Sequence, residues 1–146
     1  MRRGYRPKNS LIHGPRGRRL AQRAGEQPAQ FVPGLLAYRF SHSMYYANAQ
    51  QFSEQVLELV NGADPKLEWF CLDAVAIDDV DYSAAAKLRS TYSILKDKGI
   101  RLVFAVVSDD VKAELDRFGI TDLVGKDAFY ATGDELLSAY HQRNQQ

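Results

Sequence analysis

From residue 33 onward, apolar positions recur with two alternating periods. "GLLAYRF" (34–40) is a short apolar run rich in aromatics and reads as a strand, and "HSMYY" (42–46) extends it or forms a second short strand. The period then lengthens. Phe52, Val56, Leu59 and Val60 fall at helical spacing, and Asn61, Gly62 and Pro65 stop the helix. "LEWFCLDAVAI" (67–77) is apolar nearly throughout, as expected of a central strand covered on both faces. "DDVDYS" makes a turn, after which Ala84, Ala85, Leu88, Tyr92 and Leu95 mark one face of a helix ending at Lys98 and Gly99. "IRLVFAVV" (100–107) is the next strand. "SDDVKAELDRFG" carries Ser108 as a cap, acids in its first turn and Gly119 as a stop. "TDLVGKDAFYA" holds a brief edge strand, and "TGDELLSAYHQ" a final helix capped by Thr132 or Asp134.

This alternation predicts an α/β fold: a mixed sheet of about four to five strands packed against about four helices. Parallel strands with right-handed crossovers follow the first pair, and the opening strands add an antiparallel edge. A chain of 146 residues has room for one such core. With 45% hydrophobic and 25% charged residues and no apolar stretch near the roughly 20 residues that cross a bilayer, nothing in it reads as a membrane span.

Charge divides the chain in two. Residues 1–30 hold eight Lys or Arg against Glu26 alone, whereas the remainder holds eleven basic and seventeen acidic residues. The basic segment, rich in Gly and Pro, is expected to be a flexible linker, and residues 31–146 the folded domain. Its cations, residues 2–23, suit anionic lipid headgroups better than nucleic acid, because the folded body is acidic and the cations are not interleaved with stacking aromatics. Cys71 lies in an apolar run, which makes it a buried, inert thiol.

Chemical signatures are sparse. His13, His42 and His141 have no partners at metal-ligand spacing, so no metal site is expected. There is no phosphate-cradling glycine loop and no nucleophile elbow, so no enzymatic activity is expected. The densest acidic cluster, Asp78, Asp79 and Asp81, sits at the end of the presumed central strand, where ligands of open α/β sheets gather. Asp81 two residues before "SAAAKL" also has the position of a helix cap. Tyr45 and Tyr46, between strand and helix, read as hydrophobic anchors with polar tips.

Taken together, "LLAYRF", "SMYYANAQQF", the stretch from "LEWFCLDAVAI" through "IRLVFAVV", "LDRFGI" and "GDELLSAY" resemble the STAS domain, the module shared by sulfate transporters and anti-sigma factor antagonists. The resemblance covers roughly residues 33–142 and is strongest to the transporter branch, with "YYANA" (45–49) and the "DVDYS" turn (79–83) as its marks. "RPKNSLIHG" (6–14) is similar to the segment leading out of the last membrane helix in that branch, which makes residues 1–30 a juxtamembrane linker.

The resemblance implies a regulatory or interaction domain on the cytoplasmic side of an inner-membrane anion transporter. Its partners would be the transmembrane domain of the same protein and a further protein or a guanine nucleotide, GTP or GDP. Asp79, Asp81, Tyr82, Ser83 and Lys87 are then the candidate binding residues. In the antagonist branch a serine in a D-S-S-G turn is phosphorylated. Aligned on Asp81, Tyr82 stands at that serine, Ser83 matches the second hydroxyl and is the candidate for modification, and Ala84 replaces the glycine. The alternative reading is a free-standing, antagonist-like phospho-switch.

Overall fold

A computed structural model describes residues 10–13, 18–20, 30–40, 44 and 46–144. Four parallel strands form the body of the sheet: β3 (Leu35–Arg39), β4 (Trp69–Asp73), β5 (Arg101–Ala105) and, at one edge, β6 (Phe129–Tyr130). Two short strands, β1 (Ser10–His13) and β2 (Arg18–Leu20), add an antiparallel edge, giving the order β2-β1-β3-β4-β5-β6. Strands alternate with helices α1 (Tyr46–Asn61), α2 (Tyr82–Asp97), α3 (Asp109–Arg117), α4 (Ile120–Val124) and α5 (Gly133–His141). The mixed α/β fold is as the alternation predicts.

The two-residue period of the strands sorts their side chains into two cores. Leu36, Tyr38, Phe40, Phe70, Leu72, Leu102 and Phe104 face α1 to α4 and meet Phe52, Val56, Leu88, Leu95, Val111, Leu115 and Ile120. On the opposite face Leu35, Ala37, Trp69, Cys71, Val103 and Ala105 meet Phe31, Ala128 and, from α5, Leu136 and Tyr140. The nearly continuous apolar character of β4 follows, since all five of its residues are buried.

Local chemistry moves several boundaries. β4 ends at Asp73, not at residue 77, because the Asp73 carboxylate turns back to accept the Val75 N–H at 3.0 Å and pairs with Arg39 on the neighbouring strand. Val75 is left exposed. "HSMYY" does not form a strand over its described residues: Met44 makes a single parallel bridge to Val80, and Tyr46 already opens α1. The antiparallel edge comes from upstream instead. β1 and β2 lie within the segment read as a flexible linker, where the backbone of Ser10–Ile12 pairs antiparallel with Ala37–Arg39 of β3.

Residues 120–128 hold a helical turn and a 3-10 turn rather than strand, because Gly119 and Gly125, both at positive φ, punctuate them. The edge strand is only Phe129–Tyr130. Ser108 and Thr132 cap α3 and α5 through the N–H groups of Val111 and Glu135.

The amino ends of the parallel strands are tied to the end of α5. The Tyr140 hydroxyl donates to the Pro33 carbonyl at 2.8 Å, and Arg143 makes two bonds to the Glu68 carboxylate at 2.9 and 3.0 Å. Among the described residues no helix is long and apolar enough to cross a membrane.

Candidate docking site

The carboxyl end of β4 leads into α2 through residues 74–81, and this connection is held from both sides. Ile77 N–H bonds the Ala74 carbonyl, closing a turn. The backbones of Met44 and the turn clasp each other: Met44 N–H donates to Asp79 O at 2.7 Å, and Asp81 N–H donates to Met44 O at 3.1 Å. On the other side Glu114 of α3 accepts the Val80 N–H at 2.8 Å. A buried Ile77 and Val80 fill the space beneath. These bonds fix the turn, and with it the acidic side chains, to one rim of the sheet.

All five residues singled out in the sequence come to this rim. Asp81 caps α2, its Oδ1 accepting the Ala84 N–H at 2.8 Å, so its position as a cap is realised. Tyr82, the first residue of α2, is 70% exposed, which leaves most of the ring for contact. It meets Phe118 edge to face, with centroids 5.8 Å apart. Ser83 is exposed beside it, and Lys87, half-buried, lies one helical turn further on the same face. Asp79 is half-buried and lies close to the Glu114 carboxyl of α3.

Four further contributors, Phe118, Arg89, Arg117 and Glu114, were not visible in the sequence. Phe118 is held by the Arg89 guanidinium on its carbonyl at 2.6 Å and by the Arg117 guanidinium 4.8 Å over its ring. This brings two cations, Arg89 and Arg117, to the residue that Tyr82 touches, so the surface is mixed in charge rather than simply acidic. Glu114 is the fourth contributor. Partial burial and the neighbouring Asp79 carboxyl push its pKa up, against the Val80 N–H and Arg117, which lower it. Its helix pattern marks only an ordinary polar position, and no spacing rule links it to residue 80.

Two cavities lie away from these residues. One of about 580 Å³ at the amino rim is lined by Glu68, Trp69, Arg101, Tyr130 and Arg143; the other, about 480 Å³, is lined by Val75, Val106, Ser108, Lys112, Phe129 and Tyr130. No group of three or more metal-ligating side chains occurs among the described residues. Tyr45 and His42, and most of the basic arm with its expected lipid contacts, lie outside the described residues, as does the side chain of Tyr46.

The family model of the STAS domain matches residues 26–136. A probable sulfate transporter of Mycobacterium tuberculosis is 30% identical over 115 residues, covering 79% of this chain and 20% of that protein. Sulfate transporter 1.2 of Arabidopsis thaliana is 25% identical, covering 76% of this chain and 18% of that protein. The chain thus spans about a fifth of the length of the curated relatives it matches.

The structure is similar to the SulP transporter STAS domain of Vibrio cholerae, with a TM-score of 0.65 at 18% identity over 82% of this chain and 91% of that one. It is also similar to murine solute carrier 26 family member A9, with a TM-score of 0.70 at 16% identity over 93% of this chain and 22% of that one. A putative anti-sigma factor antagonist of Thermotoga maritima has a TM-score of 0.62 at 15% identity, over 73% of this chain and 87% of that one. With a family model matching most of its length and a fold shared with both branches, the chain belongs to the STAS domain family.

Proposed function

We propose that this chain is the regulatory and interaction domain of a sulfate or related anion transporter, seated on the cytoplasmic side of the membrane, with no catalysis of its own. What supports the reading is that sulfate transporters of Mycobacterium tuberculosis and Arabidopsis thaliana match it in sequence over a segment that is about a fifth of each protein. Its task is to bias the conformations of an attached membrane domain by engaging a partner at the rim formed by Asp79, Asp81, Tyr82, Ser83 and Lys87. A side chain as large as Tyr82, 70% exposed at the head of a helix, supports a contact there. The basic residues of 2–23 would face anionic headgroups.

The ligand of the rim is either a protein surface or a guanine nucleotide. Amide shift mapping of the chain with GDP, GTP and ATP, with and without Mg²⁺, separates them. Saturable shifts clustered at residues 79–89 assign nucleotide sensing; their absence with all three leaves the protein partner. Turnover of GTP above background would overturn the non-catalytic reading. For the transporter role itself, sulfate uptake by a transporter carrying this domain is expected to fall with Tyr82→Ala at unchanged membrane abundance. Unchanged uptake would count against it.

The second reading, an antagonist-like phospho-switch, draws on the fold shared with anti-sigma factor antagonists and on Ser83, exposed in the first turn of α2. Phosphate there would add nearly two negative charges beside Asp79 and Asp81. A partner kinase that modifies Ser83, with loss of binding afterwards, would favour it.

A further inference from the structure

We propose that the cavity of about 580 Å³ at the amino rim binds a small organic oxyanion, a carboxylate or phosphate monoester on a flat apolar body, which Arg101 grips in exchange for its contact with Asp127. The site lies at the start of β4, whereas the docking rim follows the end of that strand, and the two readings stand independently.

The cavity is built on a cluster of three aromatic rings. Trp69, the one tryptophan of the chain, stacks on Tyr130 with centroids 6.2 Å apart and meets Tyr140 edge to face at 5.4 Å. Two guanidinium groups lie over this cluster, Arg101 at 4.9 Å from the Trp69 ring and Arg143 at 3.7 Å from the Tyr140 ring. Arg101 stands beside Trp69 because the two are register partners on β5 and β4. A guanidinium resting on a ring uses its face, and its N–H donors stay in its own plane, where they match a carboxylate or phosphate.

The two arginines differ in what their edges hold. Arg143 gives two bonds to the Glu68 carboxylate, at 2.9 and 3.0 Å, and one to the Tyr140 carbonyl at 2.7 Å. It is committed to the wall. Arg101 faces Asp127 at 3.4 Å, longer than the roughly 2.7–2.9 Å of a charge-assisted hydrogen bond, and the Asp127 side chain is 87% exposed. An exposed pair at that distance contributes little and is readily exchanged. A ligand oxyanion that reaches Arg101 takes the place of Asp127, which turns to water, so the charge around Arg101 stays balanced. Half-buried Tyr130 supplies a flat wall for the body of the ligand. The volume falls within the roughly 300–1,000 Å³ of small-molecule sites and exceeds what an inorganic ion fills.

The test is titration of the chain with phenyl phosphate, benzoate and inorganic phosphate. Fluorescence and the indole N–H resonance of Trp69 read this cavity directly, because the chain has no other tryptophan. Saturable changes are expected with the organic probes, with inorganic phosphate roughly fivefold weaker for want of an apolar body. The tighter of phenyl phosphate and benzoate assigns the head group. Arg101→Gln should weaken binding roughly tenfold by loss of the charge-assisted bonds. Asp127→Asn should tighten it about threefold, because the internal competitor loses its charge. A folding defect could not produce that gain. No saturable change at Trp69 with either organic probe, inorganic phosphate binding as tightly as both, or unchanged affinity in either variant overturns the site. Shifts confined to residues 79–89 would also overturn it while supporting the docking rim, and failed docking there leaves the Trp69 titration standing.

Discussion

Tyr140 closes over Gly34. The tyrosine hydroxyl donates to the carbonyl of Pro33, and a Cβ placed on Gly34 would collide with that same hydroxyl. Gly34 also adopts a φ of +88°, where side chains are strained, and its carbonyl accepts the N–H groups of Glu68 and Trp69. One glycine thus lets the C-terminal helix, the start of β3 and the start of β4 meet at a point.

Replacing Gly34 by Ala is expected to destabilise the fold by about 2–4 kcal/mol, because backbone strain and displacement of Tyr140 act together. Tyr140→Phe, which removes only the hydrogen bond, should cost about 1 kcal/mol. Urea denaturation checks both, with the midpoint shifting and the slope unchanged. Equal losses in the two variants would show that the steric conflict at Gly34 adds nothing beyond the lost hydrogen bond.

Asp73 carries more than its partner does. It is nearly buried, bonds Arg39 twice and also accepts the Val75 N–H, so Asp73→Ala leaves a cation and a backbone donor unmatched. The expected loss is about 2–3 kcal/mol, reduced from a fully buried pair because Arg39 is partly solvated. Arg39→Met should cost less than half of that. Thermal unfolding of the two variants orders them, and the reverse order would contradict the assignment.

Tyr82 separates stability from docking. Its ring is 70% exposed and touches Phe118 only at an edge, so Tyr82→Ala should change stability by no more than about 0.5 kcal/mol. Binding of whatever partner occupies the rim is expected to weaken at least tenfold, as for a central aromatic contact. Binding unchanged in the variant would move the docking site elsewhere.

Cys71 is fully enclosed, and burial, with Asp73 nearby, drives its thiol well above the ordinary range. Alkylation by iodoacetamide at about pH 8 should therefore follow unfolding, accelerating by orders of magnitude only when denaturant opens the fold. Rapid labelling of the native protein would contradict the burial of β4.

What can be read in the sequence divides along physical lines. Periodic apolar residues such as Phe52, Val56, Leu88 and Leu95 set the helices, because burial of a face is a local pattern. Caps at Asp81, Ser108 and Thr132 are equally local, and each forms as its residue type demands. The end of β4 escapes such reading because it depends on Asp73 bonding Arg39, 34 positions earlier. Strands β1 and β2 are hidden by the basic composition around them. At the candidate rim Asp79 to Lys87 stand out by their turn, whereas Glu114 and Phe118 arrive from α3 and its end, and Arg89 of α2 is tied in by its bond to the Phe118 carbonyl, through tertiary contacts that no spacing encodes.

The four parallel strands point their carboxyl ends in one direction, and the two ends of the sheet are secured by different elements. At the amino end, Tyr140 and Arg143 of the C-terminal segment bolt Pro33 and Glu68 in place by hydrogen bonds spanning 107 and 75 positions of chain. At the other, the β4–α2 turn is held by the backbone of Met44 on one side and by the Glu114 carboxylate, accepting the Val80 N–H, on the other. A contact made at the carboxyl end is therefore passed through Met44 to the start of α1 and through Glu114 to α3, both on one face of the sheet, whereas the amino end is secured from the opposite face by the segment that closes the chain.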